Sequence, residues 1–169
     1  IWIKLSETGK LYKYTAGTQR TSCMNCDNNS NLGSLKTTVL FRDHSNTIWF
    51  GSESGLFSYD PKLDKINKYP LEIGMINSIV DGQENEIWVG SNNGLVRVIN
   101  GPNGNYNIYK KSISQSSIVS NYVKDLAWDT NRNMLWIATD NGLSRYIPSK
   151  DKFFNIQTTP YADSIVEND

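Results

Sequence analysis

Cys23-Met24-Asn25-Cys26 has the spacing of half a zinc knuckle or of a redox pair. Structural zinc takes four ligands, yet the chain has no other cysteine and one histidine, His44. A non-metal loop is expected, closed by a local disulfide if the compartment is oxidising. Asp27-Asn28-Asn29-Ser30-Asn31-Leu32-Gly33 starts as a calcium loop does, with oxygen donors on alternate residues. Leu32 then stands where glycine is needed and Thr38 where the bidentate glutamate belongs, which leaves a solvated polar turn. Asp129-Thr130-Asn131-Arg132-Asn133 offers the same donors, but Asp43 and Asp81 recur in matching places, so a hairpin turn accounts for all three. His44 lies in the turn Asp43-His44-Ser45-Asn46, with no Gly-x-Ser-x-Gly elbow in reach. The carboxylates are scattered over turns. No catalytic residue, metal ligand set or cofactor motif is expected.

Trp2, Trp49, Trp88 and Trp136 could stack on sugar rings. Each sits between apolar neighbours, however, so packing between repeated units is the expectation. Arg97 and Arg145 each follow a Gly-Leu pair at the same distance, where solvated strand positions or ion pairs between units are expected.

What positions these residues is a repeat. Ile48-Trp49-Phe50-Gly51-Ser52-Glu53-Ser54-Gly55-Leu56 returns as Ile87-Trp88-Val89-Gly90-Ser91-Asn92-Asn93-Gly94-Leu95 and as Leu135-Trp136-Ile137-Ala138-Thr139-Asp140-Asn141-Gly142-Leu143. A fainter copy starts at Ile1-Trp2-Ile3. Tryptophans at 2, 49, 88 and 136 are separated by 47, 39 and 48 positions, a period of propeller blades or helical solenoid units. The third copy reads as four extended runs, 75–80, 87–90, 95–99 and 106–109, rich in β-branched and aromatic residues and separated by turn formers. Turn prolines, Pro61 and Pro148, mark the outermost connections of the second and fourth copies. No amphipathic helical window of useful length occurs, which disfavours a helical solenoid.

The expected fold is all-β, a β-propeller or propeller fragment of about four blades, each of four antiparallel strands. The units span approximately 1–34, 35–73, 74–116 and 117–160, within one propeller segment over 1–169. Asp163-Ser164-Ile165-Val166-Glu167 matches the innermost-strand phrase Asn77-Ser78-Ile79-Val80-Asp81. It could therefore serve, within 161–169, as a first strand closing the first unit, or belong to a longer ring.

Lysine and arginine balance aspartate and glutamate at seventeen each, and no basic run exceeds Lys110-Lys111. That excludes the concentrated positive patch of a nucleic-acid or anionic-membrane surface. No apolar run is long enough to span a bilayer, so direct membrane contact by this segment is not expected.

Residues 87–98 and 135–146, with Ser120-Asn121-Tyr122-Val123 upstream and Tyr59-Asp60-Pro61-Lys62 downstream, resemble the two-component regulator propeller repeat. The resemblance covers most of 35–157. It implies the extracytoplasmic, ligand-sensing input region of a bacterial membrane-bound sensor histidine kinase, often hybrid, for which carbohydrate-derived ligands are frequent. In a meandering blade, the second-to-third-strand turns and the links between blades share one face, which here carries Glu53, Asn92, Asn93, Asp140, Asn141, Asn77 and Asn121, beside Ser54, Gly74 and Ser120. Amide and carboxylate groups suit a hydroxyl-rich small molecule or oligosaccharide. Other expected partners are further blades of the parent chain or a self-associating copy. The alternatives are a polysaccharide-active enzyme on a propeller ring and a structural or protein-interaction propeller.

Overall fold

Gly-Leu pairs at 55–56, 94–95 and 142–143, flanked by β-branched and aromatic residues, close hairpins in three of the four sheets, and the first sheet lacks that pair. The computed structural model describes residues 1–25, 35–60, 63–99, 101, 104–113, 116–158 and 165–168. Cys26, the Asp27–Gly33 stretch (27–33), Pro61 and residues 159–164 lie outside the described residues.

The first sheet holds β1 (Trp2–Lys4), β2 (Leu11–Thr15) and β3 (Arg20–Cys23). The second holds β4 (Thr37–Arg42), β5 (Ile48–Ser52), β6 (Gly55–Asp60) and β7 (Lys65–Lys68). The third holds β8 (Ile76–Asp81), β9 (Glu86–Ser91), β10 (Gly94–Ile99) and β11 (Asn105–Tyr109). The fourth holds β12 (Val123–Asp129), β13 (Met134–Thr139), β14 (Gly142–Ile147), β15 (Lys152–Thr158) and β16 (Ile165–Asn168). All pairs are antiparallel and join neighbours in sequence. Among the described residues Pro148–Lys150 form a short 3-10 turn, and no helix is long and apolar enough to cross a membrane.

The first sheet has three strands, and Ile165–Asn168 pairs with β15 on the outer edge of the fourth sheet rather than beside β1. Closing a short hairpin onto the preceding strand costs little chain entropy, whereas returning to the first strand closes a loop of most of the chain.

The turns repeat as closely as the strands. Asn46, Asn85 and Asn133 hold the first hairpin of the last three sheets at φ 64°, 60° and 51°, a left-handed conformation that asparagine tolerates. The outer hairpins of the second and fourth sheets use Asp64 and Asp151 in the same way, at φ 50° and 49°. Gly94, at φ 129°, closes β9 onto β10 where a side chain would be strained, and a Cβ there would also meet Tyr109 O at 2.9 Å.

The chain divides into two compact units, Ile1–Ile76 and Asn77–Asp169. In the first, Leu11, Phe50, Phe57, Tyr59 and Ile66 form a core joined by Trp2, Met24, Leu35 and Leu40. In the second, Trp88, Leu95, Ile118, Val123, Leu126, Leu135, Ile137, Tyr146 and Phe153 form another. The glycine of the repeated Trp-x-Gly phrase permits close sheet packing within each unit. A methyl on Gly51 would lie 2.4 Å from Ile76 Cβ, and one on Gly90 would lie 2.6 Å from Val123 Cγ1. Trp49 and Trp88 are fully buried, as packing residues should be, but Trp2 and Trp136 are only partly so.

Candidate functional site

The face expected to bind lies where second-to-third-strand turns meet the links between sheets. In Ile1–Ile76, β5 and β6 are joined through Glu53 and Ser54, both exposed. The Ser52 hydroxyl receives the Ser54 N–H at 3.0 Å and fixes the turn. Beside it the chain leaves β7 through Tyr69-Pro70-Leu71 and passes Gly74 at φ 72° before entering β8. These two segments and Lys68 enclose an open cleft of about 390 Å³, lined by Ser54, Lys68, Tyr69, Pro70, Leu71, Glu72 and Gly74. Tyr69 forms a buried wall, its ring 5.4 Å from that of Trp49 and its hydroxyl 3.4 Å from Ser58 Oγ. Burial pushes its hydroxyl pKa up to about 12, so it stays neutral and able to donate at physiological pH. Lys68 and Glu72 are exposed and bring one charge of each sign to the rim. Sequence reasoning placed Ser54 and Gly74 on this face but missed Lys68 and Glu72; the available signal was the Pro70 and Gly74 pair that bends the link across the turn.

In Asn77–Asp169 the structure brings several expected residues together. The Asn77 amide N–H groups donate to Asn92 Oδ1 at 2.9 Å and to Val123 O at 2.7 Å, tying β8 to a turn and to the fourth sheet. Asn121 Oδ1 accepts the Lys111 N–H at 2.6 Å, while its carbonyl accepts the Gly94 N–H at 2.8 Å. These three amides hold the loop face in shape. Asp140 and Asn141 are exposed in the β13–β14 turn, held by the Asn141 N–H to Thr139 Oγ1 bond at 3.1 Å. Asn93 sits in the β9–β10 turn, where its N–H meets Ser91 Oγ at 3.2 Å. The side chains of Asp140, Asn141 and, in the other unit, Glu53 extend from rigid hairpins, and each hairpin carries the same Ser or Thr brace.

Residues that could have carried other chemistry have structural tasks. Cys23 is disulfide-bonded at the end of β3. Asn25, one residue past Met24, is buried; its Oδ1 accepts the Leu11 N–H at 2.7 Å, and its Nδ2 donates to Gly9 O at 3.0 Å and Leu35 O at 2.6 Å. Asn25 thus anchors the first sheet. Arg97 is not a solvated strand residue. It pairs with buried Glu86 on its own sheet, Nη2 to Oε2 at 2.6 Å, and Glu86 also accepts the Trp88 indole N–H at 2.5 Å. That carboxylate holds the Arg97 pKa above its ordinary value despite the opposing effect of burial. His44 is exposed, and among the described residues no group of three or more His, Cys, Asp or Glu is placed to hold a metal ion.

No protein-family model and no curated protein matches the chain. Solved structures do match it over nearly its whole length. The extracellular domain assigned to the hybrid two-component system BT4673 of B. thetaiotaomicron aligns at TM-score 0.72 and 21% identity, over 98% of this chain and 22% of that one. The corresponding domain assigned to BT3049 of the same organism aligns at 0.68 and 19%, over 93% and 22%. Four meandering sheets that follow these frames decide the architecture. The chain has the fold of a β-propeller fragment of about four blades. Virginiamycin B lyase from Staphylococcus aureus shares it, at TM-score 0.62 and 15% identity over 99% of this propeller fragment and 65% of the lyase. The fragment spans 22% of the length of each two-component domain.

Proposed function

We propose that this propeller fragment is part of a non-catalytic, ligand-sensing module of a bacterial two-component sensor histidine kinase, held outside the cytoplasm within a longer array of blades. The observation that carries the reading is the fold likeness, over nearly the whole chain, to extracellular domains assigned to hybrid two-component systems. The disulfide at Cys23 supports an oxidising compartment. The ligand is carbohydrate-derived: neutral hydroxyl, amide and charged groups of both signs on hairpin turns and links match the alternating donors and acceptors of a sugar. In Ile1–Ile76, Glu53 and the Lys68–Glu72 rim of the cleft supply contacts; in Asn77–Asp169, Asn92, Asn93, Asp140 and Asn141 supply them on a loop face that Asn77 and Asn121 shape.

Isothermal titration with a panel of oligosaccharides, followed by product analysis of the same mixtures, tests this. Saturable heat with intact sugar is expected, weakened at least tenfold in Glu72→Ala or Asp140→Ala. Released product would place the chain with propeller enzymes such as the lyase, and no heat from any sugar would overturn the carbohydrate assignment.

A further inference from the structure

The two sheets in each unit meet through the same set of groups. In Ile1–Ile76, Trp2 and Lys13 lie directly opposite on β1 and β2, so their side chains share a face. That face meets the second sheet at Tyr59 and Asp64. The Trp2 ring stands edge-on to Tyr59 at 4.7 Å, Lys13 Nζ lies 4.6 Å from the Tyr59 ring centre and 2.5 Å from Asp64 Oδ1, and the Tyr59 hydroxyl donates to Asp64 at 2.6 Å. In Asn77–Asp169, Trp88 and Arg97 lie opposite on β9 and β10. The Trp88 ring is 5.0 Å from Tyr146, the Arg97 guanidinium is 6.0 Å from the Tyr146 ring and 3.5 Å from its hydroxyl, and that hydroxyl donates to Asp151 at 2.6 Å. One sheet contributes a tryptophan and a cation. The next contributes a tyrosine and, five residues later, a left-handed aspartate.

The fourth sheet repeats the first half of this arrangement. Trp136 and Arg145 lie opposite on β13 and β14, in the register of Trp88 and Arg97. Trp136 and Leu143 are only partly buried, although Trp88 and Leu95, their counterparts in the third sheet, are fully buried. We infer that the Trp136–Arg145 face docks a further blade, outside residues 1–169, that presents a tyrosine followed five residues later by an aspartate. The inference rests on the reading of the chain as part of a longer blade array. Where Gly51 and Gly90 admit Ile76 and Val123, the fourth sheet has Ala138, so the docked blade carries a small side chain at that point. A second copy of this chain fits less well, because its first sheet offers Tyr14 with Gln19, an amide, at the aspartate position.

The test replaces residues 159–169 with a second copy of residues 110–158, which reproduces the link from the third sheet into the fourth, and makes the appended copy of Val123 alanine. This extended chain should melt roughly 2–4 °C higher than the same chain with the appended tyrosine and aspartate changed to phenylalanine and alanine. The advantage should vanish in Arg145→Met. Equal midpoints, or an advantage that survives Arg145→Met, would overturn the inference. The native chain gives an independent check: Arg97→Met and Tyr146→Phe should be non-additive in a double-mutant cycle, and additivity would remove the basis of the recognition rule. Concentration-dependent sedimentation of the native chain that Arg145→Glu abolishes would put a second copy on this face and overturn the choice of occupant. None of these readouts involves a ligand, so their failure is separate from failure of the sensing reading.

Discussion

Trp49 donates its indole N–H to Asp43 Oδ2 at 2.7 Å, and the other oxygen of the same carboxylate accepts the Thr47 N–H at 2.8 Å. A residue that reads as a simple turn former therefore closes a hairpin and satisfies a fully buried tryptophan. Asp43→Ala leaves that N–H without its acceptor in the core, at a cost of about 1–3 kcal/mol. Urea titration should show a lowered midpoint with an unchanged slope; an unaltered midpoint would mean that water replaces the carboxylate.

Gly94 and Gly17 give a contrast in the same residue type. Gly94 has φ 129°, and a methyl added to it would lie 2.9 Å from Tyr109 O, whereas a methyl on Gly17 meets nothing within 4 Å. Gly94→Ala should cost about 1–3 kcal/mol through backbone strain. Gly17→Ala should stay within about 0.5 kcal/mol of the parent. Calorimetric midpoints of the two variants decide the matter, and similar values would refute the strained hairpin.

Gly90→Ala probes close packing without any backbone strain. Its methyl would lie 2.6 Å from Val123 Cγ1, an overpacking worth about 1–3 kcal/mol. Combining it with Val123→Ala makes room, so the double variant should lose less stability than the sum of the single losses. Strict additivity in chemical denaturation would show that β9 and β12 do not pack as described.

Alkaline stability should depend on Tyr69. Its hydroxyl ionises near pH 10 in the unfolded chain but only near 12 when folded, because burial opposes the charged form. Between those values unfolding releases a proton, so the contribution is complete below pH 10 and is lost as pH rises through 12. Tyr69→Phe should flatten the decline in thermal midpoint over that window. A decline equally steep in the variant would assign it to other groups.

The sheets were legible in the sequence because hairpin formation is local. The Trp-x-Gly and Gly-Leu phrases, the turn asparagines and the strand alternation act over a few residues, and repetition supplied independent readings of one pattern. Side-chain pairing between strands and between sheets was not legible in the same way. Arg97 and Glu86 stand eleven positions apart and Tyr146 forty-nine from Arg97, and only strand register and sheet stacking bring them together. The same holds for the site: the turn residues Glu53, Asp140 and Asn141 were visible as turns, but the cleft with Lys68 and Glu72 depends on how the link from β7 crosses the β5–β6 hairpin.

The fate of Ile165–Asn168 marks the boundary between the two kinds of information. Its sequence specifies a strand, since the β-branched pair Ile165-Val166 favours extended backbone. Its partner is decided by which sheet edge lies within reach of the chain, and in the tertiary structure that edge is β15. Sequence alone determined the strands, the turns and their repetition, through local sterics and hydrophobic patterning. Tertiary structure decided which faces were buried, which cations met which tyrosines and where a cleft remained, because those depend on contacts between residues far apart in the chain.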